Sequence, residues 1–301
     1  MIAHLKIAVT ETCNAYPEMP SSVEHLAELS DRLEEIRYAN IEHNGSLIQQ
    51  AAGRGASIVG LGELCTAPYF ALRKDAFWRA MAEDVERGPS ASRLRELARA
   101  LEVVIVAPLY ERCPESGKRY NTAVVIDADG ELLGKFRKLH IPHGENERGK
   151  FVESFYFGPA DAPPYFPVFE TRYGRVGVAI CYDRHFEGVM RTFAERGAEL
   201  VFSPAVTFGA KSERMWELEF EVDAARHNIF IAGSNRLGVE PPYTQHYFGR
   251  SYVVGPDGRA ASDRSVPGLV IAEIDLEELR RPDPSGWALT RHRRPDIYGG
   301  P

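Results

Sequence analysis

Short runs of apolar residues recur along the whole chain and give the first information about its fold. Most of these runs are continuous rather than alternating with polar residues, which is the pattern of strands that are buried on both faces. The runs are residues 5–10, 57–61, 103–107, 122–126, 176–180, 199–202, 229–232 and 269–274. The sequence therefore predicts a sheet that other elements cover on both sides.

Amphipathic segments with the period of an α-helix lie between several of these runs. The segments are residues 31–52, 89–101, 187–197 and 212–227. Ser212 is a candidate N-cap for the last of them. Strands and helices that alternate along nearly the whole length predict an α/β fold. The Pro- and Gly-containing stretches 158–167 and 240–249 are expected to be long loops, which are often functional.

Composition narrows the classes of function. No apolar run approaches the ~20 residues of a membrane span, and the N-terminus lacks the pattern of a secretory signal, so we expect no membrane association and a cytoplasmic location. Basic residues number 36 against 43 acidic ones and are scattered, which argues against nucleic acid as a partner. The four cysteines show no spacing typical of zinc sites, so neither a metal site nor a disulfide framework is expected.

Cys181 is the first candidate for chemistry because it closes the apolar run 176–180 and is followed by the polar stretch 182–185. A thiol at the end of a strand can be presented at the rim of a sheet, near the N–H groups of a helix that begins at about residue 187. A lone cysteine is more often a small buried apolar side chain. His185, four residues away, is the usual type of partner for a catalytic thiol, although this spacing does not clearly make it face the sulfur.

Two more polar residues follow predicted strands. Glu63 comes two residues after the run 57–61, and Lys138 stands in a basic segment further along the chain. Each of them alone is unremarkable, since a strand-end carboxylate or a surface lysine has the same local pattern. Cys65, two residues past Glu63, has no base and lysine of its own and is interpreted as a packing residue.

Taken together, Glu63, Lys138 and Cys181 resemble the Glu, Lys and Cys triad of the nitrilase superfamily of carbon-nitrogen hydrolases in identity, order and surroundings. The resemblance extends from about residue 7 to residue 274, and within the superfamily it is strongest to β-ureidopropionase and related N-carbamoyl amidohydrolases. The segments that carry the narrower likeness are 137–142, 151–156, 180–185, 203–210, 221–226, 235–238 and 247–253. Two features depart from the animal β-ureidopropionases, which have a long N-terminal extension and tend to have glycine at the position of Asp183.

The resemblance implies a four-layer α-β-β-α sandwich over residues 1–279 and no cofactor. It also implies a homodimer or larger homo-oligomer, in which residues 280–301 form a C-terminal arm at a subunit interface. The irregular, Pro-rich composition of that arm is typical of a segment that cannot build its own core.

The same resemblance implies a role for each residue of the set. Glu63 would take the proton of the Cys181 thiol, and Cys181 would attack the carbonyl or carbamoyl carbon. The Lys138 ammonium and the backbone N–H of Tyr182 would hold the oxyanion. Glu153 matches a second glutamate that orients the lysine, the alternative being an ordinary surface carboxylate.

Four further residues are candidates for substrate binding. Arg184 would clamp a substrate carboxylate, or else form a structural ion pair with an acidic neighbour such as Glu187. His140 would hydrogen-bond the substrate or support its own loop. Thr207, with Phe208 beside it, is expected to line the pocket, while Tyr182 contributes the backbone donor already named.

The function that the sequence favours is hydrolysis of a small N-carbamoyl amino acid or N-carbamoyl amine, with release of ammonia and carbon dioxide. An ω-amidase, an aliphatic amidase or a nitrilase on the same scaffold is the enzymatic alternative. A catalytically idle binding protein would be expected to lack one member of the triad, and all three members are present.

Overall fold

The computed structural model describes residues 4–294, 296 and 297. The strands are β1 (His4–Thr10), β2 (Ile58–Gly60), β3 (Val104–Arg112), β4 (Arg119–Ile126), β5 (Leu132–Arg137), β6 (His143–Asn146), β7 (Gly149–Val152), β8 (Phe169–Thr171), β9 (Gly174–Val178), β10 (Leu200–Ala205), β11 (Phe230–Asn235), β12 (Leu237–Val239), β13 (His246–Phe248), β14 (Tyr252–Gly255), β15 (Gly258–Arg259), β16 (Ser262–Asp263) and β17 (Leu269–Asp275). The α-helices are α1 (Leu33–Gly53), α2 (Pro89–Leu101), α3 (Gly188–Glu195), α4 (Ala210–His227) and α5 (Leu289–His292).

Two sheets contain most of the strands. The first has the order β16-β17-β1-β2-β3-β4-β5, and the second has the order β15-β14-β11-β10-β9-β8. The three central strands of the first sheet, β1 to β3, run parallel and are connected through α1 and α2. In the second sheet β9, β10 and β11 run parallel and are connected through α3 and α4. Both halves of the chain therefore use the same β-α-β connection.

The sheets pack face to face and each carries helices on its outer face. In β1, Ile7 and Val9 point into the core between the sheets, whereas Ala8 points toward α1 and α2, because successive side chains of a strand face opposite sides. Gly60 lies so close to the other sheet that an added Cβ would stand 2.3 Å from the ring of Phe202. Trp216 and Phe220 of α4 belong to the same core from the far side. The result is the four-layer α-β-β-α sandwich that the resemblance implied.

The apolar runs located the central strands, but some details of the sequence prediction are wrong. The stretch 240–249 is not a continuous loop, because β13 lies within it and pairs with β12. Ser212 is not the N-cap of α4, which begins at Ala210 after Gly209, a residue with φ of +93°. The sequence does not predict the strand β5, because Lys135 and Arg137 interrupt its apolar pattern. In the structure both side chains form ion pairs with the buried Glu111.

The described part of the C-terminal segment leaves the sandwich after β17. Its short helix α5 lies near α4, and Arg293 forms an ion pair with Glu195 at the end of α3. Residues 295 and 298–301 of the expected arm lie outside the described residues, and its place at a subunit interface stays a prediction. Within the described ranges, none of the helices is both long and apolar enough to cross a membrane.

Candidate active site

The Glu, Lys and Cys set comes together where the carboxyl ends of strands from both sheets meet. Glu63 lies in the turn after β2 and Lys138 directly follows β5, both in the first sheet. Cys181 follows β9 of the second sheet and begins a short 3₁₀ helix. Glu153 begins another 3₁₀ turn after β7. Parallel strands place their carboxyl ends at one edge of each sheet, and Val206 contacts both Glu63 and Cys181 where the two edges meet.

Lys138 lies between two carboxylates. Its Nζ donates to Glu63 Oε1 at 2.9 Å and to Glu153 Oε2 at 2.7 Å, and all three side chains are at most 1% exposed. Burial alone would lower the pKa of Lys138, but Glu153 and Glu63 outweigh burial and hold that pKa well above its ordinary value. Burial raises the pKa of Glu153, while Lys138 acts in the opposite direction. The ammonium is therefore a fixed positive charge inside the protein.

Three groups that the sequence reading did not identify hold the carboxylates in place. Asn121 of β4 donates to Glu63 Oε1 at 2.7 Å, and the backbone N–H of Val206 donates to Glu63 Oε2 at 2.7 Å. The hydroxyl of Tyr69 donates to Glu153 Oε1 at 2.7 Å. Neither Tyr69, in the segment Pro68-Tyr69-Phe70, nor Asn121, directly before the apolar run 122–126, has a local pattern that indicates this role.

Cys181 has a backbone conformation that is rare for a residue with a side chain. Its φ is +51°, in the left-handed region, which costs energy and is often found at functional turns. The sulfur lies 3.6 Å from the carbonyl oxygen of Val206, whose N–H binds Glu63. One peptide segment therefore contacts both the thiol and the carboxylate.

The surroundings of Cys181 favour the neutral form of its thiol. Burial is the largest influence on Cys181 and Glu63 the second, and together they raise the pKa of the thiol to about 12, against the opposing effects of Lys138 and Arg184. A thiol with such a pKa is protonated near neutral pH and can act as a nucleophile only if a base takes its proton. Glu63 fits that requirement better than His185, whose Nδ1 is 2.6 Å from Glu219 Oε1.

A cavity of about 200 Å³ opens onto the thiol. Of the four candidates for substrate binding, Tyr182, Arg184 and Thr207 line this cavity, as do Cys181 and Glu153. His140 is not among the lining residues. Its ring stacks on Phe186 with centroids 3.6 Å apart, and its Nδ1 lies 2.7 Å from Asp183 Oδ1, a position that supports its own loop.

Arg184 is buried and already has several partners. Its Nε is 3.3 Å from Glu219 Oε2, its Nη1 donates to the carbonyl oxygen of Cys181 at 2.7 Å, and its Nη2 donates to Thr207 Oγ1 at 3.3 Å. The ion pair that the sequence suggested with Glu187 is thus formed with Glu219 of α4 instead. The carboxylate clamp stays a prediction.

Cys65 and a metal site are the two other possibilities for chemistry that the sequence raises. Cys65 packs in the core between the first sheet and its helices, as expected for a structural residue. Among residues 4–294, 296 and 297, no three His, Cys, Asp or Glu side chains are grouped so that they could hold a metal ion.

Comparison with known proteins identifies the family. The family model described as carbon-nitrogen hydrolase matches residues 35–281. The chain belongs to the carbon-nitrogen hydrolase family. An N-carbamoylputrescine amidase from Oryza sativa subsp. japonica is 34% identical over 282 residues, which cover 88% of this chain and 89% of that protein. A beta-ureidopropionase from Arabidopsis thaliana is 35% identical over 269 residues, which cover 84% of this chain and 64% of the relative.

Solved structures agree with this assignment. A carbon-nitrogen hydrolase from Helicobacter pylori G27 has a TM-score of 0.79 and 28% sequence identity, over 98% of this chain and 97% of that one. The resemblance to the nitrilase superfamily is thereby confirmed, and so is the sandwich fold. As a carbon-nitrogen hydrolase the protein is an enzyme that acts on non-peptide C–N bonds of small molecules.

In this carbon-nitrogen hydrolase, Glu63→Gln is expected to make the Cys181 thiol easier to deprotonate and yet to reduce turnover. After burial, the negative charge of Glu63 is the largest influence that raises the thiol pKa, so its removal lowers this pKa and shifts iodoacetamide alkylation to lower pH. Turnover should fall by roughly 10²-fold or more, because glutamine can neither accept nor return a proton.

Mass spectrometry of alkylated peptides over a range of pH measures this shift, and Cys13 and Cys113 in the same sample are internal controls. An alkylation profile displaced to higher pH in the Glu63→Gln variant, or turnover that stays at the level of the unmodified protein, would contradict the assignment of Glu63 as the base.

Proposed function

We propose that this enzyme hydrolyses an N-carbamoyl compound of the form R–NH–CO–NH₂ through a covalent intermediate on Cys181, with Glu63, Lys138 and Glu153 as the other catalytic residues. The observation that supports this proposal most directly is the buried Glu63–Lys138–Glu153 cluster beside a neutral thiol that opens onto a cavity. The cluster supplies a proton carrier and a fixed positive charge, which a weakly electrophilic urea carbon requires.

The reaction would proceed in two halves. Glu63 accepts the proton of the thiol as the sulfur attacks the carbamoyl carbon, and the resulting oxyanion is held by the Lys138 ammonium and the N–H of Tyr182. The Tyr182 N–H lies in the first turn of the 3₁₀ helix 181–185, where N–H groups have no acceptor within the helix. Glu63 then returns the proton to the terminal nitrogen, and ammonia leaves.

The second half removes the carbamoyl group from the sulfur. Glu63 takes a proton from water, which attacks the thiocarbamate carbon, and the carbon–sulfur bond breaks as the thiol recovers its proton. The released R–NH–COOH loses carbon dioxide to give the free amine. In total, R–NH–CO–NH₂ and water yield R–NH₂, carbon dioxide and ammonia. Glu153 is held by Tyr69 and orients Lys138 through both halves.

The tail of the substrate is proposed to be that of an amine rather than of a carboxylic acid. Arg184 is the candidate for a carboxylate clamp, yet its charge is offset by Glu219, and one Nη donates to the Cys181 carbonyl while the other donates to Thr207. A paired guanidinium offers little net attraction to a second carboxylate. The relatives that are N-carbamoylputrescine amidases point in the same direction.

Ammonia release from a panel of substrates tests the proposed function. The panel contains N-carbamoylputrescine, N-carbamoyl-β-alanine, an N-carbamoyl-α-amino acid, a simple aliphatic amide and a nitrile. We expect kcat/KM to be highest for N-carbamoylputrescine, because its tail needs no carboxylate clamp. A simple amide or a nitrile at the head of the ranking would overturn the proposal in favour of an amidase or a nitrilase.

The variant Arg184→Met completes the same experiment. A rise in KM that is confined to the carboxylated substrates would show that Arg184 binds the carboxylate of the substrate after all. A fall in kcat shared by all substrates would instead assign Arg184 to holding the Cys181 turn through its carbonyl.

A further inference from the structure

The two halves of the reacting centre belong to different layers of the sandwich. Lys138 follows the edge strand β5 of the first sheet, whereas Cys181 follows β9 of the second sheet. Their separation therefore depends on how two loops from opposite sheets are joined. Asp183, which none of the steps above uses, is the fully buried side chain located at that junction.

The carboxylate of Asp183 accepts hydrogen bonds from both loops. Its Oδ1 accepts from the N–H groups of Leu139 at 3.2 Å and His140 at 2.9 Å, and lies 2.7 Å from His140 Nδ1. Its Oδ2 accepts from the N–H of Ile180 at 3.2 Å. Leu139 directly follows Lys138, and Ile180 directly precedes Cys181. The carboxylate thus bridges the backbone positions adjacent to both residues.

These contacts exceed what a helix cap would need. To cap the 3₁₀ helix 181–185, the Asp183 carboxylate would need to accept only from the N–H of Ile180. Its other three contacts, with the N–H of Leu139 and with the N–H and Nδ1 of His140, are made with the loop that follows Lys138. The stacking of His140 on Phe186 joins the same two segments a second time. A buried carboxylate that gives most of its acceptor capacity to another loop fixes the distance between the loops.

We propose that Asp183 is a positioning residue that sets the distance and direction between the Lys138 ammonium and the Cys181 sulfur. It does so by accepting hydrogen bonds from the backbone N–H groups just after Lys138 and just before Cys181. The inference rests on the proposed function for the roles of these two residues. Geometry at a reacting centre has steep consequences, since a displacement of about 1 Å can reduce the rate by ~10²-fold.

The variant Asp183→Asn tests this inference, because asparagine has nearly the same shape but can accept through only one side-chain atom. We expect kcat to fall by about 10- to 100-fold with KM changed less than threefold, since ground-state binding does not depend on the Lys138–sulfur distance. The matched control is Asp127→Asn. Asp127 accepts from two backbone N–H groups, of Ala128 and Arg172, in the turn after β4, and kcat should be unchanged there.

A second readout does not require the substrate. Because Lys138 lowers the pKa of the Cys181 thiol, loosening the loop should slow iodoacetamide alkylation of Cys181 at a fixed pH. This measurement separates the two proposals: an unmodified protein without activity on any N-carbamoyl compound would overturn the proposed function, while slower alkylation in Asp183→Asn would still support the positioning role.

Variants of His140 keep the inference testable if Asp183→Asn does not fold. His140→Asn retains a donor near the position of Nδ1, whereas His140→Phe retains only the ring that stacks on Phe186. We expect His140→Phe to lose more kcat and more alkylation rate than His140→Asn. The inference is overturned if Asp183→Asn is destabilised but keeps kcat and alkylation within twofold of the unmodified protein, or if the two His140 variants are indistinguishable.

Discussion

Replacement of Cys181 by alanine is expected to reduce turnover by on the order of 10⁶-fold, which is the scale of the loss when a hydrolase loses its nucleophile. The residual rate would come from the oxyanion donors and from substrate binding alone. Stability should change little, because the hydrogen bonds that the sulfur forms with described residues are long, at 3.6 Å to the Val206 carbonyl and 3.9 Å to Arg184 Nη1. Ammonia release under saturating substrate, together with a thermal melt, measures both quantities.

The control for this variant is Cys65→Ala. Cys65 is buried as deeply as Cys181 and lies two residues from Glu63, but it packs in the core between the first sheet and its helices. We expect this change to cost about 1 kcal/mol of stability or less and to leave kcat intact. If Cys181→Ala retained turnover while Cys65→Ala abolished it, the roles assigned to the two thiols would be wrong.

Lys138→Met is expected to damage both catalysis and the fold. Two carboxylates, Glu63 and Glu153, would remain buried without the ammonium between them, and breaking a buried ion pair on one side costs about 3–5 kcal/mol. The kcat should fall by about 10³-fold, because the variant loses the proposed oxyanion donor and the cation that favours the thiolate. Urea unfolding and initial-rate measurements determine the two losses separately.

The stability loss of Lys138→Met should depend on pH. Burial already raises the pKa of Glu153, and removal of Lys138 raises it further above the unfolded value of ~4.3. A carboxyl with a raised folded pKa binds its proton more tightly in the folded state, so stability falls as pH rises from the unfolded to the folded pKa. The deficit relative to the unmodified protein is therefore expected to be smaller in mild acid than at alkaline pH.

Two comparison variants make this result interpretable. Lys135→Met removes a charge from β5, the strand that Lys138 follows, but its partner Glu111 keeps Arg137, so the expected cost is about 1 kcal/mol or less. The double variant Lys138→Met/Glu153→Gln should recover part of the stability but none of the activity. A single Lys138→Met variant as stable as Lys135→Met at alkaline pH would contradict the description of a buried charge cluster.

The sequence carried more information about the central strands than about those at the edges. Strand β10 was recognisable because both of its faces are buried, so its apolar run is nearly continuous. Strand β5 is at an edge and only partly buried, and the charges of Lys135 and Arg137 are satisfied by Glu111 rather than by solvent. These ion pairs are contacts between residues distant in sequence, so the pattern of neighbouring residues along the strand does not reveal them.

In the candidate site, too, residues with a local sequence pattern were predictable and residues placed by tertiary contacts were not. Glu63 and Cys181 each follow a predicted strand, whereas Lys138 follows the unpredicted β5 and was singled out because the three residues match a known set. Physical patterning alone would have favoured His185, which the structure pairs with Glu219. Asn121 of β4 and Val206, which follows β10, hold Glu63 from positions remote in sequence, and Val206 acts only through its backbone. A backbone donor has no signature in the amino-acid sequence.

The division of the site between the two sheets has a consequence for how the protein is made. A ribosome releases the segment with Glu63 and Lys138 first and the segment with Cys181 later, and β17, which completes the first sheet by pairing with β1, comes last. The turn at Cys181, with its positive φ, is joined to the loop after β5 through Asp183, which can accept from the N–H groups of Leu139 and His140 only when the two sheets have packed together. We therefore expect a nascent chain to have an ordinary cysteine at this position until β17 has been made and the two sheets have packed together.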